Sequence, residues 1–139
     1  MTCQLCTEAS SYPLDRVVFN DANWILRHSA ETDILGYLVL QSKRHFLDLS
    51  EATKEECTTY GGVLGSAMNC IREATECERV YTFSLAEAVP HFHVHIIPRS
   101  KDFNSQYKAR GIMSYPTTPA ASDGDVKKIC AAMKELWII

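Results

Sequence analysis

The stretch HFHVHIIPR, residues 91–99, decides how the rest of the chain is read. It places three of the five histidines on alternate positions of a short apolar run. On a β-strand successive side chains point to opposite faces, so His91, His93 and His95 share one face while Phe92, Val94 and Ile96 share the other. The apolar set is the core side. Serine, threonine or lysine would serve a merely solvated outer face. Same-face neighbours about 7 Å apart instead put three imidazoles where one metal ion or one small anion meets several of them. Two chemistries fit. Neutral imidazoles bind zinc, and two histidines at alternate strand positions can ligate one ion. Alternatively, one neutral imidazole attacks phosphorus while its neighbours, or Arg99, donate to the phosphate oxygens. Clustered imidazoles resist simultaneous protonation, which keeps at least one of them able to attack.

Outward from this strand the periodicity predicts two helices. The first runs over residues 53–75 and opens with Thr53 and Glu56 at the spacing of a capping box. Its apolar stripe is Tyr60, Leu64, Met68 and Ile71, and Gly61, Gly62 and Gly65 are expected to be points of close approach to a sheet. The second begins near Ser122 or Asp123, with Val126, Ile129, Cys130, Met133 and Leu136 on one side, and runs to the C-terminal residues Trp137, Ile138 and Ile139. Five segments read as strands: RVVF at 16–19, NWILR at 23–27, GYLVLQ at 36–41, RVYTFSL at 79–85 and HFHVHII at 91–97. Asn20 and Asp21 are expected to turn the first two into a hairpin. Strands, a helix and more strands predict an α+β fold with an antiparallel sheet. Residues 101–121, rich in Ser, Thr, Pro and Gly around isolated aromatics, read as a long irregular loop.

At 139 residues the chain is expected to form one domain, 1–139. The formal net charge of -3 and the lack of a Lys/Arg cluster argue against nucleic acid as a partner. Lys43, Arg44 and His45, and separately Arg99 and Lys101, are local basic spots that suit a small anion. The opening MTCQLCTEASSY lacks the charged-then-apolar pattern of a secretory signal, and no segment approaches the roughly 18 apolar residues of a membrane span. The expectation is a cytoplasmic protein with no membrane partner. Its six cysteines are then expected to be reduced. Cys57, Cys70, Cys77 and Cys130 lie in helical patterns and read as small hydrophobes.

The pattern from His91 to Ile97, followed by Pro98 and Arg99, resembles the signature of the histidine triad (HIT) superfamily of nucleotide hydrolases and transferases. The stretch GYLVLQSKRHFLDLSEATKEE, residues 36–56, is similar to that family's strand, basic loop, histidine and helix start, and helix, strand and triad then follow in family order. The resemblance spans nearly the whole chain and is weakest after Arg99. It implies a HIT-like fold: a five-stranded antiparallel sheet with one long helix and a C-terminal helix. It also implies a homodimer, in which Trp137, Ile138 and Ile139 serve as interface or pocket residues. The implied activity is cleavage of a phosphoanhydride, phosphoester or phosphoramidate at the α-phosphorus of a nucleotide. His93 attacks to give a covalent nucleotidyl-imidazole, water releases the nucleoside monophosphate, and His95 binds a phosphate oxygen, with Arg99 at the rim. No organic cofactor is expected.

Cys3 and Cys6 have the two-residue gap of a zinc knuckle, but one pair cannot close a tetrahedral site. The resemblance supplies the missing ligands, because several bacterial family members join such a pair to the histidine of the basic loop and to the first triad histidine. Those positions are His45 and His91 here. Two thiolates and two imidazoles suit a structural zinc ion. A redox pair is the weaker reading, since no helix start is expected after the cysteines.

Other positions depart from the family pattern. His28 or Ser29 stands nearest to where many relatives hold the ribose with aspartate. Ala86, Glu87 and Ala88 replace a Gly-Gln-Ser stretch whose serine donates to the leaving oxygen, and Tyr37 follows Gly36 where many members have a fourth histidine. Glu87 reads as an acid, an orienter of a triad ring, or an ordinary loop residue. These departures keep two other functions open: a nucleotide-binding regulator without turnover, and a zinc-dependent hydrolase.

Overall fold

The computed structural model describes residues 3–137. Five strands form one antiparallel sheet: β1 (Val17–Asn20), β2 (Trp24–His28), β3 (Leu38–Ser42), β4 (Arg79–Phe83) and β5 (His93–Arg99). Their order is β1-β2-β3-β5-β4, so the histidine strand is interior. Helix α1 (Gln4–Glu8) precedes the sheet, α2 (Lys54–Ala74) joins β3 to β4, and α3 (Asp123–Leu136) ends the described chain. None of the described helices is long and apolar enough to cross a membrane.

The β1–β2 hairpin turns on Asp21, whose Oδ1 accepts from the backbone N–H groups of Asn23 and Trp24, each at 2.8 Å. Such local side-chain bonds are why aspartate favours turns. Leu26, Leu38, Leu40, Val94 and Ile96 then line the sheet face that meets the helices. Against them lie Val63, Ala67, Cys70 and Ile71 of α2 and Val126, Cys130 and Met133 of α3. The predicted capping box is complete: Thr53 accepts from Glu56 N–H, and Glu56 accepts from Thr53 N–H at 2.7 Å. Glu56 is buried because Arg44 also bonds it, at 2.9 Å. Ser122 caps α3 by accepting from Asp125 N–H at 3.2 Å.

Several expectations are corrected. The buried line of α2 is rotated from the predicted stripe, with Tyr60, Leu64 and Met68 flanking it. Gly61, Gly62 and Gly65 therefore face solvent, and a Cβ at Gly61 or Gly65 would meet nothing within 4 Å. The glycine that does mark a close approach is Gly36. Its φ of +93° suits glycine, and a Cβ there would lie 2.9 Å from Thr75 Cγ2. Cys70 and Cys130 are buried, but Cys57 is exposed and Cys77 lies beyond the end of α2. A helix does follow Cys3, its N-cap, because Leu5 is buried and draws the segment onto the domain.

The segment 101–121 is more ordered than an irregular loop, with 3-10 turns at Ser105–Tyr107 and Ala109–Ser114. Its Ile112 packs with Ile34 and Ile97, and Tyr81, Phe83 and Phe103 lie against them. This second apolar cluster lies on the outer sheet face, since Ile97 follows His93 and His95 at alternate positions. The outer face is thus covered at one end, up to Tyr37 and Phe83, which meet His95 at the edge of that cover. Trp137 stacks on Phe19 of its own chain with ring centroids 4.6 Å apart. Ile138 and Ile139 lie outside the described residues.

Three substitutions test this packing. Gly61→Ala and Gly65→Ala are each expected to stabilise the chain by about 0.5–1 kcal/mol, since helix entropy is the only term that changes. Gly36→Ala is expected to destabilise it by about 1–3 kcal/mol through backbone strain and the clash with Thr75. Urea unfolding of the three variants reads both signs.

Candidate functional site

The N-terminal residue of the triad does not share the strand with the other two. β5 begins at His93, because Pro90 and a bond from His91 N–H to Val89 O at 2.9 Å turn the chain just before it. Phe92 N–H then donates to Phe46 O at 2.6 Å, which docks this turn against the basic loop after β3. His91 is fully buried, and its Nε2–H donates to the Ser42 carbonyl at 2.7 Å. Its Nδ1 lone pair is therefore free and faces Cys3 Sγ at 3.3 Å, Cys6 Sγ at 3.4 Å and His45 Nδ1 at 3.2 Å. Cys6 Sγ also lies 3.6 Å from His45 Nδ1.

All four donor atoms lie within 4.8 Å of one another. Bonds of ~2.3 Å to sulfur and ~2.1 Å to nitrogen give a tetrahedron with edges of about 3.4–3.8 Å. The four spacings of 3.2–3.6 Å among His91, His45, Cys3 and Cys6 match those edges to within a few tenths of an ångström. Burial, then Cys3, pushes the Cys6 thiol up, and burial pushes His91 down. Two sulfur and two imidazole nitrogen atoms crowded at this spacing are a good donor set for a soft divalent ion. Ser42 also fixes the His91 ring, as the outer partner of a metal-bound histidine does.

His93 and His95 lie beyond this cluster, with ring centroids 5.1 Å apart. His93 Nδ1–H donates to the His91 carbonyl at 2.7 Å. That bond fixes the tautomer and leaves Nε2 with a lone pair. His95 is held differently. Its ring stacks on Phe83 at 4.6 Å, and its Nδ1 lies 2.8 Å from the Tyr37 hydroxyl. Burial first, then His93 and Arg27, lowers His95 to about 4, while burial raises Tyr37 to about 12. Near neutral pH the pair is an uncharged phenol against an uncharged imidazole.

His93 and His95 line a cavity of about 400 Å³ together with Arg27, Ser29, Glu31 and Tyr12. The cavity has a wall that the sequence did not announce. Gln4, Leu5, Glu8, Tyr12 and Pro13 of the N-terminal segment border it, so the segment carrying Cys3 and Cys6 also shapes the space before the histidines. Tyr12 is fixed there by donating to Gln41 Oε1 at 3.0 Å.

Other residues singled out in the sequence have different roles. Arg99 does not reach toward His93. Its guanidinium pairs with Glu78 at 2.8 Å and donates to the Tyr81 hydroxyl at 3.3 Å, because β4 runs antiparallel beside it. His28 is buried with both nitrogens used, Nδ1–H donating to Ser29 O and Nε2 accepting from Gly36 N–H. Glu87 is exposed, next to Ala86 at φ +54°. Tyr37 and Arg27 were not assigned to the site in advance. Tyr37 carried one signal, its place where relatives have a histidine; Arg27 carried none beyond its parity on β2.

His95 gives a pH test. Its folded value lies below the ordinary 6.5, so protonation disfavours the folded state. Its contribution to stability is present in full above about pH 6.5 and is lost as pH falls toward 4. In a ring-proton NMR titration the His95 signal is expected to stay flat from pH 7.5 to about 5, and a midpoint near 6.5 would refute the buried neutral pair.

No protein-family model matches the sequence, and no curated protein matches it either. Solved structures do match. A hypothetical histidine triad nucleotide-binding protein from Sulfolobus tokodaii strain7 aligns with a TM-score of 0.75 and 18% identity, over 96% of this chain and 91% of that one. A Zn-bound histidine triad family protein from Mycobacterium smegmatis aligns with a TM-score of 0.73 and 18% identity, over 98% and 96%. A member of the HIT family from Bacillus subtilis aligns with a TM-score of 0.65 and 20% identity, over 97% and 96%. At these identities the likeness is one of fold, and over nearly its full length this chain has the fold of the histidine triad proteins.

Proposed function

We propose that the chain is a nucleotide hydrolase or nucleotidyl transferase that works through His93. The observation that carries this reading is the bond from His93 Nδ1–H to the His91 carbonyl, which in the neutral ring leaves the lone pair on Nε2, in a ring that lines a cavity of about 400 Å³. A ring that already donates through Nδ1 needs no base to become a nucleophile. Nε2 attacks the α-phosphorus, and the bond from phosphorus to the leaving oxygen or nitrogen breaks. The leaving group keeps the electron pair and takes a proton from solvent. Water then attacks the phosphorus, the P–N bond breaks, and the nucleoside monophosphate departs with His93 restored.

His95 assists as a neutral donor. Tyr37, whose phenol stays protonated, donates to His95 Nδ1, so His95 Nε2 carries a hydrogen for a phosphate oxygen. The absence of a serine at position 88 leaves leaving-group protonation to solvent. That suits a leaving group already stable as an anion, such as a phosphate.

We infer that Cys3, Cys6, His45 and His91 hold a zinc ion. The donor spacings and the two-sulfur, two-nitrogen set support this reading, and the Zn-bound fold relative agrees with it. With four protein ligands the ion has no open position, so it supplies a crosslink. It would tie the N-terminal wall of the cavity to the turn before β5.

Turnover of adenosine phosphoramidate and dinucleoside polyphosphates, followed with wild type and His93→Ala, tests the catalytic reading. Loss on the order of 10³-fold or more is expected in the variant, with a nucleotidyl adduct trapped only on wild type. Equal rates, or no adduct and no turnover in wild type, would remove it. Metal analysis of protein purified without added zinc tests the second reading. One zinc per chain is expected in wild type and none in a Cys3→Ser/Cys6→Ser variant, which should also unfold at lower temperature. Near-zero zinc in both would overturn it.

A further inference from the structure

Three arginines on the described chain are not exposed: Arg16, Arg27 and Arg99. Arg16 pairs with Asp123 at 3.0 Å and Arg99 with Glu78 at 2.8 Å. Arg27 pairs with no carboxylate among the described residues, although Glu8 and Glu31 border the same cavity. The position of Arg27 is nonetheless closely defined. Its Nε–H donates to Gln41 Oε1 at 3.1 Å, and its Cζ lies 4.6 Å over the Tyr12 ring. Gln41 is fully buried, and its oxygen is held by Tyr12 as well as by Arg27. These contacts use Nε and one face of the guanidinium. Among the described residues the two terminal amino groups have no acceptor.

A half-buried guanidinium held in place, with its fork of donors unused, is an anion site awaiting its anion. Buried charge is ordinarily paired, and arginine's planar fork matches phosphate oxygens. The sheet register sets where this residue stands relative to His95. Arg27 stands opposite Val39, and Val39 opposite His95, so the Arg27 backbone is two strands from His95, about 10 Å. Ser29, two residues along, is on the same side. A phosphate joined directly to the α-phosphorus stays within one bridging oxygen of it, whereas a phosphate on the sugar is displaced across the ring.

We propose that Arg27 binds a second phosphate, carried on the sugar of a nucleotide whose 5′-phosphorus meets His93. The inference rests on the nucleotide reading above and adds a substrate class to it: nucleoside 3′,5′- or 2′,5′-bisphosphates and their 5′-conjugates. Arg27 then takes the place of the missing ribose carboxylate, exchanging a grip on hydroxyls for a grip on an anion.

Calorimetric titration of the full chain with nucleoside 5′-monophosphates, 5′-diphosphates and 3′,5′-bisphosphates, in adenosine and guanosine forms, tests this. The bisphosphate of at least one base is expected to bind about tenfold or more tightly than its monophosphate, the factor of one charge-assisted bond. In Arg27→Gln that ratio is expected to collapse toward one, with Arg27→Lys between. Far-UV circular dichroism and thermal melting establish that both variants are folded. Equal binding of mono- and bisphosphate by wild type, or a preference that survives in Arg27→Gln, would overturn the proposal while leaving the nucleotide reading intact. So would an Arg27-dependent preference for the 5′-diphosphate over the bisphosphate. No binding of any nucleotide would remove both.

Discussion

His91 uses its two ends for two different purposes, and the site depends on their being held together. Its ring is locked by donating Nε2–H to Ser42, which turns Nδ1 to the cysteines and His45. Its backbone carbonyl accepts from His93 Nδ1–H, which fixes the tautomer of the neighbouring ring. A shift of this one residue would disturb both the donor cluster and the His93 ring. The short bond from Phe92 N–H to Phe46 O holds the backbone between the two roles.

The outer face of the sheet is divided along the same strand. At one end Ile97 is covered by Ile112 and the aromatics of the segment 101–121. At the other the N-terminal residues through Tyr12 form a wall. His93 and His95 sit between these covers, and charge is arranged around them unequally. His95 is kept neutral by burial, while the neighbouring carboxylates leave Arg27 unpaired. A site with an uncharged His95 and a free guanidinium suits a substrate that brings the negative charge itself. The same division explains why the cysteine–histidine cluster and the cavity are separate: His91 lies before the strand begins.

What the sequence disclosed was governed by local rules. The capping box of α2, the Asp21 turn and the apolar parity of β5 depend on residues a few positions apart, so they could be read directly. The four donors of the cluster became legible only through resemblance, because 88 residues separate Cys3 from His91. What remained hidden was set by cross-strand register. Arg99 meets Glu78 and Tyr81 because of how β4 aligns with β5. Tyr37 meets His95, and Arg27 meets Gln41, because of the alignment across β2, β3 and β5. The rotated face of α2 is a similar case. Periodicity located an apolar stripe, but the buried line of α2 includes the small residues Ala67 and Cys70, which a search for large apolar side chains passes over.

The central claim is the protonation pattern of one ring. Long-range proton–nitrogen NMR on chain labelled with ¹⁵N at its histidines reads that pattern directly, near neutral pH and without substrate. His93 is expected to carry its hydrogen on Nδ1, against the usual preference of free imidazole, with Nε2 showing the shift of an unprotonated, unligated nitrogen. A hydrogen on Nε2, or a metal-shifted Nε2, would contradict it.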